Sequence, residues 1–382
     1  MCAVTPGRAG RQPGCCNSPS PSRVDPGRPG RRPGLARNPP LDIGRPGPLG
    51  DPQPAPPHPS PGPNPMAEFD GWPDEASEAL ARVLDQHRID RDDDGATRPV
   101  IALDFDNTCI LGDVGETIHY VLCDRFSYAL DDEDFWGVIA PEDGRERLRN
   151  SWRELRRQGV TDASQGEDAQ AFANDLIAVY ARRAARLGKE AAYQWAPRMH
   201  AGLSRTWLHR AALAHFEAEG SAPLRTEERI APDGVRLVMQ RGLRVRPAFR
   251  ELIALFSENG FAVWVVSATN SWTVQAVAPH LGVSSRRIIG NACRVEGDRI
   301  TDVREGPTTW RRGKVEAIQQ AVGRPPVLAV GDTWTDLEML ESATDLAILV
   351  DRGDPELASI ADERGWLRVP AGFFDLESPR LS

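Results

Sequence analysis

Beyond residue 98 the chain alternates short apolar runs with helical stretches, an order that few folds accept. The runs 100–103, 261–266, 287–290, 327–330 and 346–350 are almost continuously apolar and rich in β-branched residues. Strands of a parallel sheet covered on both faces have this character. Between them, 247–258, 271–280, 314–322 and 335–342 read as helices. Such repetition predicts an α/β fold with a doubly wound, Rossmann-like parallel sheet. The run 294–303, with Gly297-Asp298 at its centre, predicts a short hairpin.

One interval breaks the alternation. From Gly112 to Gly242 no strand is evident, and helical patterns lie near 116–129, 143–158, 168–187 and 203–219. The second sets Leu148, Trp152 and Leu155 on one face, and the third does the same with Phe172, Leu176 and Val179. The expectation is a core domain of 66–111 and 243–382 with an all-helical cap, 112–242, inserted after the first strand. Ligands of open α/β sheets bind at the carboxyl ends of the strands, so a cap inserted there covers the site. A helix at 75–87 has no evident role.

The first 65 residues differ from the rest. They hold 19 of the 33 prolines and eight of the arginines, with almost no sustained apolar run. Such a segment cannot offset its ordering entropy by burial, and it reads as a disordered tail without the apolar region of a secretory signal. Because 66-MAEFDGWPDEASEAL looks like an ordinary N-terminus, a misassigned start accounts for the tail equally well. The chain's net charge is −9, and 66–382 carry most of the negative charge, which argues against nucleic-acid binding. No run is apolar enough for a membrane span, and there is no CxxC pair or zinc spacing. The expected setting is a reducing cytoplasm.

The chemistry gathers at the strand ends. Asp104-Phe105-Asp106-Asn107-Thr108 follows the first run, and Ser267-Ala268-Thr269-Asn270 follows the second. Lys314 opens a helix, and Gly331-Asp332-Thr333-Trp334-Thr335-Asp336 follows the fourth run. Singly, each suits a cap, a turn or a solvated loop. Together they place carboxylates, a hydroxyl and an amine in one crevice, the inventory for handling phosphate with Mg²⁺. A bound cation would also offset the repulsion between carboxylates at a strand mouth.

In this order, 104-DFDNT-108, Ser267, Lys314 and 331-GDTWTD-336 resemble the four motifs of the haloacid dehalogenase superfamily. The insertion resembles the cap of its phosphoserine phosphatase-like branch, and the likeness spans about residues 98–370. The resemblance implies a phosphomonoester hydrolase with Asp104 as nucleophile and Asp106 as acid and base. It implies Mg²⁺ held by Asp104, Asp106 (through its carbonyl) and Asp332, with Asp336 completing or supporting the shell. Thr108, Ser267 and the backbone at Ala268 would bind the phosphate, and Lys314 would balance its charge. Thr335 and Trp334 depart from that branch, which commonly has Asn and a small residue there, so serine phosphate itself is in doubt.

The motif continues as 109-CILGDVGE-116. In the phosphoserine phosphatase branch an acid at the Asp113 position faces the substrate's amino group, and the Asp113–Glu116 pair is similar to a segment of bacterial phosphorylcholine phosphatases. With Trp136, Trp152, Trp195 and Trp207 as candidate aromatic faces, the resemblance implies a small amino- or ammonium-bearing phosphomonoester. Helix capping by the two acids and ordinary core packing of the tryptophans are the plainer alternatives. Transfer to an acceptor other than water, or phospho-ligand binding without catalysis, are the rival functions. Oligomeric state is not legible.

Overall fold

The computed structural model describes residues 69–89 and 98–375, so the expected tail of residues 1–65 lies outside the described residues. The first helix, α1 (Asp74–His87), precedes β1 (Val100–Leu103) and the two-residue β2 (Ile110–Leu111). The insertion follows as α2 (Val114–Asp124), α3 (Glu133–Val138), α4 (Arg145–Arg157), α5 (Glu167–Leu187), α6 (Lys189–Trp195) and α7 (Arg205–Ser221). It ends in β3 (Arg225–Ile230) and β4 (Arg236–Arg241). Then come β5 (Arg244–Val245), α8 (Pro247–Glu258), β6 (Ala262–Asn270), α9 (Ser271–Val277), β7 (Ile288–Glu296) and β8 (Arg299–Glu305). The chain closes with α10 (Arg312–Val322), β9 (Leu328–Gly331), α11 (Leu337–Glu341), β10 (Leu346–Asp351), α12 (Pro355–Arg364), β11 (Leu367–Pro370) and α13 (Ala371–Asp375).

Seven strands form one sheet in the order β11-β10-β9-β1-β6-β7-β8, parallel except for β8 against β7. From β1 the chain winds outward through β6 and β7, then returns to build β9, β10 and β11 on the other side. The order therefore reverses between β1 and β9, where open α/β sheets form their crevice. Period-two alternation sorts the strand residues into two layers. Ile101, Leu103, Val263, Val265, Leu328 and Val330 face one core, while Ala102, Val266 and Ala329 face the other. The first core receives α1 through Ala76, Leu80, Val83 and Leu84, so that helix covers the sheet.

A third apolar cluster lies in the insertion and includes Leu148, Trp152, Leu155, Phe172, Leu176 and Val179, the faces expected from spacing. The insertion is not all-helical, which corrects the expectation, because β3 and β4 pair antiparallel along their full length. The sequence RTEERI of β3 offers no apolar face, since it is stabilised by its partner strand: Arg236 pairs with Glu228 at 2.6 Å, and Thr226 donates to Gln240 at 3.0 Å. Only Leu237 and Met239 of β4 turn inward. Strand β7 is also longer than expected and joins the hairpin without a break, and β11 adds an edge strand that ends at Pro370.

Candidate active site

Asp104 follows β1 directly, and its N–H donates to Val330 O of β9 at 2.9 Å, which ties the loop to the crevice. Arg246, buried at the start of α8, donates to the carbonyls of Asn107 and Thr108 and holds the turn from below. Asn107 sits at φ 60° and Gly112 at φ +94°, so the loop doubles back on left-handed residues. Gly331 is needed for a different reason: a Cβ there would stand 2.5 Å from the Cβ of Asp336.

Lys314 is fully buried and uses all three donors, to Asp104 Oδ1 at 2.6 Å, Asp336 Oδ1 at 2.5 Å and Val266 O at 2.7 Å. Burial alone would lower its pKa, but Asp104 and Asp336 outweigh it and keep the amine charged. Asp336 has both oxygens engaged, because Oδ2 accepts from the N–H groups of Asp332 and Thr333 at 3.1 Å each. Asp332 Oδ2 accepts from Arg352 Nη1 at 2.8 Å. The Thr108 hydroxyl lies 3.2 Å from Asp104 Oδ2 and 3.4 Å from Asp332 Oδ1, buried between the two carboxylates.

Carboxylate oxygens of Asp104, Asp332 and Asp336 lie within 4.8 Å of one another. An all-oxygen set of this kind suits Mg²⁺. Burial and mutual repulsion push Asp104 up to about 6, with Lys314 opposing, and push Asp332 well above the carboxylate range, with Arg352 opposing. A divalent cation would relieve that repulsion, so the donors fit the metal. Asp104 and Asp332 would be the direct ligands, whereas Asp336 accepts from Lys314 and from the N–H groups of Asp332 and Thr333.

Asp106 stands apart from that cluster. Its Oδ1 accepts from Val114 N at 2.7 Å, while Oδ2 accepts from Thr269 Oγ1 at 2.8 Å and Ser267 Oγ at 3.3 Å. Burial, then Asp113 and Asp104, raise its pKa well above the usual carboxylate range. Ser267 is buried, and its hydroxyl is directed at Asp106 while it accepts from Thr269 N.

Two cavities meet here. One, of about 440 Å³, is lined by Asp104, Asp106, Asp332, Thr333 and Arg352. The other, of about 310 Å³, runs into the insertion. They share Asp113, Glu116, Tyr193, Ala268 and Thr269. Asp113 caps α2, accepting from Glu116 N at 2.8 Å, and Glu116 accepts from Tyr120 OH at 3.1 Å. Both acids thus line the junction while one also does the plain capping job. Burial, then Glu116, push Asp113 up to about 7; burial also raises Glu116. Among the described residues neither acid makes an ion pair with a basic side chain.

Of the four tryptophans, Trp195 alone lines either of these two cavities. Trp136 donates to Leu130 O, Trp152 stacks on Phe172, and Trp207 packs against the insertion's core. The aromatic lining comes instead from Tyr120, Tyr128, Tyr180 and Tyr193. Sequence reasoning missed these tyrosines, Thr269 and Arg352. Only Thr269 carried a signal, being the third residue of the stretch that opens at Ser267.

The haloacid dehalogenase-like hydrolase family model matches residues 101–341. No curated protein matches. A conserved, functionally unknown protein from Anaerococcus prevotii is similar in structure, with 19% identity and a TM-score of 0.66 over 78% of this chain and 92% of that one. A protein with unknown function from Bordetella pertussis shares 20% identity at a TM-score of 0.45, covering 72% of this chain and 99% of its own. A probable phosphoserine phosphatase from Vibrio cholerae shares 15% at 0.35, covering 72% and 61%. The first likeness shows a shared fold, and the other two add nothing to it. By the match over residues 101–341, the chain belongs to the haloacid dehalogenase-like hydrolase family.

Proposed function

We propose that the protein is a Mg²⁺-dependent phosphomonoesterase of the phosphoserine phosphatase-like branch, acting on a small amino- or ammonium-bearing substrate through an aspartyl-phosphate. The observation that carries this reading is the unequal setting of two neighbouring carboxyls. Asp104 has a buried lysine at 2.6 Å, whereas Asp106 has only neutral donors. One is therefore suited to attack as an anion and the other to give a proton.

An Asp104 oxygen attacks phosphorus as the ester P–O bond breaks, and the leaving alkoxide takes the proton of Asp106. Asp106, now a carboxylate, takes a proton from water as that water attacks phosphorus and releases Asp104. Mg²⁺ between Asp104 and Asp332 would neutralise phosphoryl oxygens in both steps. Lys314 keeps Asp104 ionised, and Thr269 and Ser267 hold Asp106 in line. Asp113, half-buried, and Glu116, exposed, line the junction without an ion-pair partner among the described residues, which supports a cationic head.

Released phosphate from a panel of phosphomonoesters tests the reading. Asp104→Asn is expected to cut turnover by about a thousandfold or more while the protein stays folded. A folded Asp104→Asn variant that keeps wild-type turnover would sink the mechanism.

A further inference from the structure

The chamber beyond Asp113 and Glu116 is too large for a small ammonium group alone. At about 10–15 Å³ per water-sized occupant, about 310 Å³ admits on the order of 20 such groups, against roughly six heavy atoms in a trimethylammonium-ethyl head. Its walls beyond the acids include Ile177, Tyr180, Trp195, Met199, Leu237 and Met239.

The polar groups in those walls are mostly engaged with one another. Tyr128 OH and His119 Nδ1 are 2.7 Å apart, His200 Nδ1 donates to Pro197 O at 3.1 Å, and Trp195 Nε1 donates to Val138 O at 2.6 Å. Burial lowers both histidines to about 4, so the deep end is uncharged. One buried acceptor is unpaired, His200 Nε2. Arg236 and Val238, exposed on β4, also line the chamber, which therefore reaches solvent beside that strand. Acidic charge is confined to the junction, Arg236 stands at the solvent mouth, and apolar surface lies between them.

We propose that the substrate carries, beyond its nitrogen, an uncharged and largely apolar extension that enters this chamber. The proposal rests on the phosphatase reading for where the phosphate lies, and it deepens that reading by naming the shape of the head. With the phosphate beside Asp104 and the nitrogen between Asp113 and Glu116, an alkyl or aryl substituent would lie among Ile177, Met199 and Met239. It has room for at most one hydrogen-bond donor, facing His200.

The test uses the full chain with Mg²⁺ and two readouts. Calorimetric titration with ethanolamine, choline, N-butylethanolamine and N-benzylethanolamine measures the head alone, and kcat/KM is measured on the matching phosphomonoesters. Each buried methylene is expected to tighten binding about threefold to fourfold, so the N-benzyl compound should exceed ethanolamine at least about tenfold in both readouts. Ile177→Trp, checked for folding by circular dichroism, should erase that gain by filling the chamber. Ethanolamine or choline binding as well as the extended amines, or no binding by any amine, overturns the proposal. Tight amine binding with no hydrolysis of any ester would instead sink the phosphatase reading and leave this one standing.

Discussion

Asp113 does two things that are separable at the scale of one residue. Its carboxylate caps α2, and its charge faces the junction of the two cavities. Asn caps about as well as Asp, so Asp113→Asn removes the charge and keeps the cap. The folded-state pKa of about 7 lies above the ordinary 3.8, so the folded protein binds more protons than the unfolded chain between those values. Stability from this group is therefore full below about pH 4 and is lost as pH rises through 7. Urea unfolding at pH 5 and 8 should show a smaller decline in Asp113→Asn than in the wild type. The same titration should make KM for a cationic substrate fall between pH 6 and 8, and kinetics on the variant should show no such fall. Lys314→Met leaves Asp104 and Asp336 buried without their cation, and it should cost about 3–5 kcal/mol in a urea titration. Saturating Mg²⁺ at about 100 times its Kd should add about 2.7 kcal/mol to wild-type stability, a gain that EDTA reverses and Asp332→Asn lacks.

Among elements, the β7–β8 hairpin decides how the insertion is held. It reaches from the sheet to the start of α7, where Arg205 N donates to Asp298 O at 2.7 Å and Gly202 N donates to Ile300 O at 2.9 Å. The Asp298 carboxylate accepts from Thr206 N at 3.0 Å and Thr206 Oγ1 at 2.8 Å, and Arg198 donates to Asp302 O at 3.0 Å. The insertion is thus fastened at a third place besides its two chain crossings. Asp298→Ala should speed amide exchange over residues 198–206 while the strands of the sheet stay protected, as hydrogen-exchange mass spectrometry would read. Unchanged exchange in that segment would mean the contact carries no load. The hairpin itself was legible from Gly297-Asp298, but its attachment was not, because both partners are exposed polar residues about a hundred positions apart.

For the molecule as a whole, the segment ahead of β1 belongs to the core. Trp72 packs at 5.1 Å on Phe249 and 5.0 Å on Phe374 and donates to Ala248 O, while Phe69 meets Phe256 at 5.4 Å. These contacts join the first and last described elements across the same face of the sheet. Trp72→Ala should cost about 3–5 kcal/mol in chemical denaturation. A helix at 75–87 was legible without a role, and its place on the sheet depends on strand order. Among the described residues no helix is long and apolar enough to cross a membrane.

Local pattern alone determined the strand–helix alternation and the placing of Asp104, Asp106, Lys314 and Asp332 at strand or helix ends, whereas Ser267, expected just past its strand, lies within β6, which runs on to Asn270. Strand and helix periods are short-range properties, and each motif lies within a few residues of the element that presents it. The family resemblance added their order. Only the tertiary structure decided that Asp336 would be used up by Lys314 and two backbone N–H groups, and that Arg352 would pair with Asp332. It also replaced three of four expected tryptophans with tyrosines from α2, α5 and α6 at the cavities. Those outcomes depend on which elements lie side by side, and the charged sequence of β3 shows the reason: its strand state comes from the partner across the hairpin, not from its own residues.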